Sequence, residues 1–400
     1  MRRMMMCRVL FILPLMLLLL PGCPKKPVYP GDTPTFFSAD PGHYRGGWSW
    51  NDVLDGVPST DTESDTDSER EVVEPDVIRR AGDLLYVLNQ YRGLTVVDLN
   101  TRQVISRVAT SGYPRDLYLA GGYAYVLTGY AADVIAEGNK IRYELGSRIY
   151  AVDIHTPADP VVAGVITLKG DFIDSRVVGN ALYAVCAEFS YIWDETSSGE
   201  VTVSNSQPVK AQTSTSWITS VNLADPTDLL PVDTLEVPGY GTVIQASSDA
   251  IFLAASDWST QTTAITYVDI SDAAGKIAVR GNITVPGQVA DQYKMDAWNG
   301  FLRVVSTTWN PNRETDITTV NLANPDALVI AGQTRLAAAG ESLFATRFDG
   351  PRAYLVTYFQ VDPLFVVDLS DPAAPKVAGE LTVPGWSTHI EPRGDRLIAL

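Results

Sequence analysis

The sequence predicts an all-β chain of radially repeated blades, a β-propeller of four-stranded antiparallel units. Two observations carry that reading. The first is a phrase that recurs six times: Val97-Asp98-Leu99, Val152-Asp153-Ile154, Val221-Asn222-Leu223, Val268-Asp269-Ile270, Val320-Asn321-Leu322 and Val367-Asp368-Leu369. Its acidic or amide positions lie 55, 69, 47, 52 and 47 residues apart, close to the roughly 40–50-residue period of propeller blades. The second is that each copy closes a β-type run and most precede a turn rich in Asp, Asn, Pro or Thr.

One unit shows the pattern. Asp76–Arg80, Leu84–Leu88, Leu94–Asp98 and Val104–Val108 are four short apolar or alternating runs separated by turn residues. Such a set makes one blade. Similar units run over 113–169, 171–237, 239–285, 287–336 and 340–383, followed by two strands, Trp386–Ile390 and Arg396–Leu400. The expectation is about six complete blades and the start of a seventh. Leu397–Leu400 occupies the place of a second strand, as Tyr183–Val185 and Tyr354–Val356 do. Half a blade leaves an apolar edge, so a C-terminal remainder is expected to be missing. The alternative is that residues near 76 complete the last blade by strand exchange.

The repeated Asp or Asn reads as structural. A short polar side chain at a strand end can bond the backbone of the following turn. The turns at Asp225-Pro226, Asn324-Pro325 and Asp371-Pro372 fit, because Pro fixes φ at the bend and forbids strand continuation.

The N-terminus reads as an address. Arg2, Arg3 and Arg8 precede an apolar run, Val9–Leu20, broken by Pro14. Twelve residues are too few for a bilayer span, which needs about twenty, and they suit a signal peptide. The run ends Leu20-Pro21-Gly22-Cys23, which resembles the bacterial lipoprotein signal, with Cys23 as the acylated residue. An ordinary cleaved leader is the alternative. Removing residues 1–22 takes away three positive charges and leaves a net charge near −20, from −17.

Residues 23–75 read as a disordered acidic tether ahead of a propeller at 76–400. Residues 51–76 carry ten acids against one base, Arg70. The alternation Asp61-Thr62-Glu63-Ser64-Asp65-Thr66-Asp67 invites a calcium loop but lacks its glycine, so a self-repelling spacer is the better reading. Phe36-Phe37 and Trp48/Trp50 are the apolar exceptions. No basic stripe exists to displace counterions, which argues against nucleic acid. Three cysteines, Cys7, Cys23 and Cys186, form no framework, and Cys186 reads as a small buried strand residue. His43, His155 and His389 are scattered, so no metal site and no cofactor are expected.

Two stretches resemble a known family. Gln360–Pro372 with Pro375–Val377 and Leu381–Thr388, and Asp291–Asp296 with Gly300–Val304 and Asp174–Gly179, are similar to the secreted bacterial and archaeal β-propeller family described as distantly related to WD40 repeats. The Val-Asp-Leu-Ser-Asp-Pro phrase is also similar to LVIVD-type surface repeats. The resemblance covers about 76–400 and implies a propeller in the envelope or secreted. It supplies no catalytic residues.

No Gly-x-Ser-x-Gly elbow, Walker loop or His-Glu-x-x-His helix appears. The first strand of each blade should line the axis, and those strands carry Arg115, Asp116, Asp174, Arg176, Gln245, Gln292, Lys294, Arg347 and His389. Such a ring could hold a small anion, water or a metal ion, or its members could pair with one another. Insertions at Tyr130–Ser147 and Ser190–Ser216 are binding loops or disordered excursions. The leading reading is a monomeric, non-enzymatic binding or scaffold module. It would be lipid-anchored to a bacterial membrane, the outer membrane by preference, and touch that membrane only through its lipid. Its partner would be an envelope protein or carbohydrate. The rival is an extracytoplasmic propeller enzyme: a quinoprotein-type dehydrogenase, a glycan lyase or a hydrolase.

Overall fold

The computed structural model describes residues 70–137, 140–193, 209–309, 312–336, 340–358, 362–383, 387, 389–394 and 396–399. The leader, Cys23 and nearly all of the expected tether lie outside them.

A two-residue strand, β1 (Val72–Val73), comes first. Blade 1 is β2 (Ile78–Ala81), β3 (Leu84–Asn89), β4 (Gly93–Asp98) and β5 (Gln103–Val108). Blade 2 is β6 (Tyr113–Ala120), β7 (Tyr123–Glu137), β8 (Lys140–Asp153) and β9 (Val161–Leu168). Blade 3 is β10 (Asp171–Val178), β11 (Ala181–Trp193), β12 (Val209–Asn222) and β13 (Pro231–Pro238). Blade 4 is β14 (Val243–Ala246), β15 (Ala250–Asp257), β16 (Thr262–Asp269) and β17 (Ala278–Pro286). Blade 5 is β18 (Met295–Trp298), β19 (Phe301–Thr308), β20 (Glu314–Asn321) and β21 (Val329–Arg335). Blade 6 is β22 (Ser342–Asp349), β23 (Arg352–Tyr358), β24 (Asp362–Asp368) and β25 (Lys376–Val383). A two-stranded sheet, β26 (Ile390–Arg393) and β27 (Arg396–Ala399), begins blade 7.

Among the described residues the first strand of this last sheet is Ile390–Arg393, which shares only Ile390 with the expected Trp386–Ile390. Arg393 lies opposite Arg396, and Ile390 pairs with Ala399. Trp386 lies outside the described residues.

Both faces of a blade are buried, so its middle strands are apolar runs, not alternations. On β11, Leu182, Ala184 and Cys186 pack toward blade 2, while Ala181, Tyr183 and Val185 pack toward blade 4. Successive clusters join blades 1 and 2, 2 and 3, 3 and 4, 4 and 5, 5 and 6, and 6 and 7. Cys186 is buried, and burial pushes its thiol up to about 12.

The repeated phrase is a fastening. In all six copies the Asp or Asn Oδ1 accepts the backbone N–H two residues on: Asp98 from Asn100 (2.7 Å), Asp153 from His155 (2.9 Å), Asn222 from Ala224 (2.9 Å), Asp269 from Ser271 (2.9 Å), Asn321 from Ala323 (2.8 Å) and Asp368 from Ser370 (3.0 Å). The third residue of each copy donates its N–H to the turn between the first two strands, as Ile270 does to Asp249 O (2.9 Å) and Leu369 to Pro351 O (2.8 Å).

A second repeated device accompanies it. Opposite the Val of each phrase the outer strand carries a β-bulge, in all six four-stranded blades. The bulge bends the outer strand, and the turn of the next blade seats there. Ser106 Oγ donates to Pro157 O (2.6 Å), Ser220 Oγ to Gly275 O (2.6 Å) and Thr319 Oγ1 to Pro372 O (2.5 Å). At Gly332 a Cβ would stand 2.5 Å from Pro372 O, so only glycine lets the two backbones approach. Arg280 adds a bidentate pair to Asp326 of the next blade (2.7 and 2.8 Å).

The described parts of the two insertions are paired strands. The second and third strands of blades 2 and 3 continue outward as hairpins. Pairing extends from Ala131↔Gly146 to Glu137↔Lys140 and from Phe189↔Ser214 to Trp193↔Val209. Residues 138–139 and 194–208 lie outside the described residues.

These devices differ in expected strength. Asn321→Ala should cost about 1 kcal/mol, one lost side-chain hydrogen bond. Gly332→Val should cost about 1–3 kcal/mol by steric overlap. Urea melts of the two variants should rank them in that order.

Candidate functional site

Most of the expected lining residues fall on the first strands of their blades. Arg115 and Asp116 are on β6, Asp174 and Arg176 on β10, Gln245 on β14 and Arg347 on β22. Two placements differ from the expectation. Gln292 and Lys294 sit in a short 3-10 turn, Gln292–Lys294, just ahead of β18. Asp291 caps that turn by accepting from Tyr293 N (2.9 Å), which holds the chain out of the strand for three residues. His389 lies one residue before β26.

Four of these residues form one buried network. Arg176, 1% exposed, donates to Asp174 Oδ1 (2.7 Å), to Ser175 O (2.6 Å) and, with its other terminal nitrogen, to Gln292 Oε1. Ser175 turns the other way: its Oγ donates to Asp116 Oδ2 and pairs with Tyr118 Oη (2.8 Å). The contact from Arg176 to Gln292 links blade 3 to the entry of blade 5. Lys294, 3% exposed, is held between Asp291 Oδ2 (3.0 Å) and Phe344 O of blade 6 (3.4 Å).

Electrostatics follow from burial. Burial first, and then the Asp174 charge, push the Asp116 carboxyl up to about 8, against the opposing pull of Ser175, Arg176 and Arg115. Burial also raises Asp174, although Arg176 draws it down. Burial works against the Arg176 charge; Asp174, then Glu74, more than restore it. Burial and the neighbouring Arg347 push the His389 imidazole below its ordinary value.

Sequence reasoning missed the segment that runs beside this network. Val72 and Val73 add to blade 3 inside β10, opposite Val178 and Val177, so β10 is not the innermost strand there. Arg70 donates to Ile270 O (2.6 Å) and Tyr183 Oη (3.1 Å), and Gly179 N donates to Glu71 O (3.0 Å). Asp76 then bridges to Leu117 of blade 2, and Arg79 Nε donates to Leu117 O (3.2 Å). Residues 70–76 thus cross from blade 4 to blade 1 along the axis. Val72-Val73, a lone apolar pair in an acidic stretch, was the available signal.

In an antiparallel blade, the turn between strands two and three and the connection to the next blade share one end. Backbone bonds join them there: Gly287 N to Gln261 O (2.8 Å) and Gly340 N to Arg313 O (2.7 Å). This loop face carries both long hairpins and five exposed rings: Tyr91 (87% exposed), Trp258 (72%), Tyr113, Tyr130 and Trp309. Arg313 lies over Trp309 at 4.1 Å, and Trp309 N donates to Gln261 Oε1 (2.7 Å). The opposite face exposes Trp298, with Arg303 over its ring at 5.0 Å. Among the described residues no group of three His, Cys, Asp or Glu could hold a metal ion. Among them no helix is long and apolar enough to cross a membrane.

The profile of the family described as "Beta propeller domain" matches residues 64–399. The chain belongs to that family. Curated relatives of this propeller match over shorter stretches. An uncharacterized protein of Methanocaldococcus jannaschii is 43% identical over 114 residues, 28% of this chain. An uncharacterized protein of Archaeoglobus fulgidus is 35% identical over 116 residues, 29% of this chain. The match spans 18% of the length of each relative. Among solved structures, Kluyveromyces lactis Hsv2 aligns with a TM-score of 0.39 and 10% identity, covering 72% of this chain and 71% of that one.

The raised Asp116 carboxyl gives a pH dependence with a defined sign. The folded propeller holds this proton more tightly than the unfolded chain. The stabilisation is full below the ordinary 3.8 and drains away as pH rises to about 8. Asp174 acts in the same sense. Chemical melts of Asp116→Asn across that window should show a shallower fall in stability than the parent.

Proposed function

We propose that this propeller is a lipid-anchored, extracytoplasmic, non-enzymatic binding module that recognises its partner with the loop face. The five exposed rings gathered on that face carry the reading. Exposed aromatic side chains on rigid hairpins offer large contact area at low entropic cost, and tyrosine and tryptophan dominate the anchors of protein interfaces. The partner class is an envelope protein or a carbohydrate.

The axis supports the same choice over an enzyme. Acid, hydroxyl and cation do converge there, but Asp116, Ser175, Tyr118, Asp174, Arg176 and Gln292 satisfy one another and are largely shut from solvent. A reacting group needs access to substrate as well as convergence. Ser175 is fully buried, and residues 70–76 lie alongside.

The course of the chain also agrees. Arg70 sits by the Gly179 turn and Ile270, at the end of the blades away from the loop face. A chain tethered through residues N-terminal to it would present its aromatic loops outward. The Arg2/Arg3/Arg8 and Val9–Leu20 leader ending in Cys23 supports acylation there.

Two measurements test this reading. Cys23→Ser should shift the protein from the membrane to the soluble fraction, because one residue carries the anchor. Tyr91→Ala with Trp258→Ala should abolish capture of the envelope partner that the parent retains, with stability changed by no more than about 0.5 kcal/mol. Unchanged capture by the double variant would refute the loop-face assignment.

A further inference from the structure

We propose that Arg115, Asp171, Tyr113, Tyr130 and Tyr240 form a binding site for a neutral saccharide unit at the loop-face end of blades 2 and 3. This deepens the loop-face reading and rests on it.

The site is built from two facing irregularities. In β6 the register slips between Pro114 and Asp116, which makes Arg115 the bulged residue. In β7 the pairing breaks between Thr128 and Ala131, so Gly129 and Tyr130 form a second bulge at the same level, Gly129 lying opposite Tyr113. Bulges re-aim side chains, and they concentrate beside functional sites. The first strands of blades 3 and 6 have the same slip, with apolar Ile173 and Phe344 at the extra position. Blade 2 puts a guanidinium there. Tyr130 also adopts φ +50°, a left-handed conformation that is strained for a bulky residue.

The charges at this place are underused. Arg115 Nε and Asp171 Oδ1 are both buried, and neither has a hydrogen-bond partner among the described residues. Buried polar atoms are nearly always paired, so an orphaned donor and acceptor together call for a ligand. A Cβ on Gly129 would stand 3.2 Å from Asp171 Oδ1 and 3.4 Å from Arg115 Nε, so both atoms close on the same backbone position, which only the missing side chain leaves clear. The Tyr113 and Tyr130 rings flank it in an edge-to-face pair, centroids 6.0 Å apart. Tyr130 and Tyr240 both lie near enough for the Asp171 and Arg115 charges to act on them.

The chemistry selects the ligand. One donor and one acceptor side by side match adjacent hydroxyls of a sugar ring, each of which both donates and accepts. The opposite charges cancel, so an anion would meet Asp171 and a cation would meet Arg115 at unfavourable range. Tyrosine faces accept the apolar C–H face of the ring while their hydroxyls stay wet.

The test is calorimetric titration of the full chain with cello-, malto-, manno- and chito-hexaose, against oligogalacturonate and chitosan hexamer as charged probes. At least one neutral hexaose should bind and both charged probes should bind at least tenfold more weakly. Arg115→Gln and Asp171→Asn should each weaken neutral binding at least tenfold. Gly129→Ala, which leaves both charges in place and sets a methyl group against Asp171 Oδ1 and Arg115 Nε, should do the same while still unfolding in one cooperative melt. No binding of any neutral hexaose, equal binding of a charged probe, or neutral binding untouched by all three variants would overturn the proposal. If neutral binding survives these variants but is lost with Tyr91→Ala and Trp258→Ala, this site falls and the loop-face reading stands. If the Tyr91/Trp258 double variant also leaves partner capture intact, both fall.

Discussion

A blade of four strands has two apolar faces and cannot hide either by itself. Each must be covered by a neighbour, and the rest of the structure follows from that. β11 shows the consequence within three residue pairs: Leu182, Ala184 and Cys186 serve one interface, and Ala181, Tyr183 and Val185 serve the other. A single strand thereby couples blades 2, 3 and 4. Truncating such a residue, Leu182→Ala for example, removes about 2–5 kcal/mol, more than any one turn hydrogen bond supplies. The fastenings at Asp98, Asp153, Asn222, Asp269, Asn321 and Asp368 serve a different end. They fix where each third strand stops, which sets the register in which the next face is offered.

Stacking wedge-like sheets around an axis leaves a place where apolar packing is geometrically poor, because the inner strands are short and converge. This chain fills it with paired polar groups. Arg176 spans from β10 to Gln292, Lys294 ties Asp291 to the Phe344 carbonyl, and Ser175 joins Asp116 to Tyr118. A buried pair is costly to break, because removal of one partner strands the other charge, and it adds little net stability when intact. Its use here is alignment: each bond joins elements far apart in sequence. The β1 segment works the same way, since its contacts reach Ile270, Val178 and Leu117 in three different blades.

The blade plan was legible because its determinants are local. An Asp or Asn at a strand end, a Pro in the next turn and apolar runs on either side are visible within ten residues, and the expected units coincide with the blades closely, save that blade 5 begins at Met295 instead of 287. The bulge device was also written down, as Ala163-Gly164, Ala331-Gly332 and Ala378-Gly379, but its meaning depends on the turn of another blade and so on contacts some fifty residues away. The same limit applies at the axis. Polar first strands were readable, yet which residues pair was not: Arg176 finds Gln292 across 116 positions. Gln292 and Lys294 were assigned to a strand because nothing in their own sequence announces the Asp291 cap strongly enough to outweigh the pattern. Val72-Val73 escaped because two residues carry no periodicity.

The two ends of the propeller are therefore unlike for a physical reason. At one end Arg70, Glu71 and the Val72–Val73 strand bind the turns of blades 3 and 4 to the axis. At the other, the second and third strands of blades 2 and 3 run past the body of the sheet, and the first strand of blade 2 is disrupted at Arg115. A sheet that is extended beyond its packed region gives up burial for reach, and a bulge that leaves Arg115 Nε without a hydrogen-bond partner among the described residues gives up hydrogen bonding. Both sacrifices occur within one sector, and the exposed Tyr113 and Tyr130 rings lie between them. A chain under selection for stability alone would shorten the hairpins and place an apolar residue at 115, as it does at the equivalent positions Ile173 and Phe344. The departures fall together, on the face away from the axial segment, where the proposed site lies.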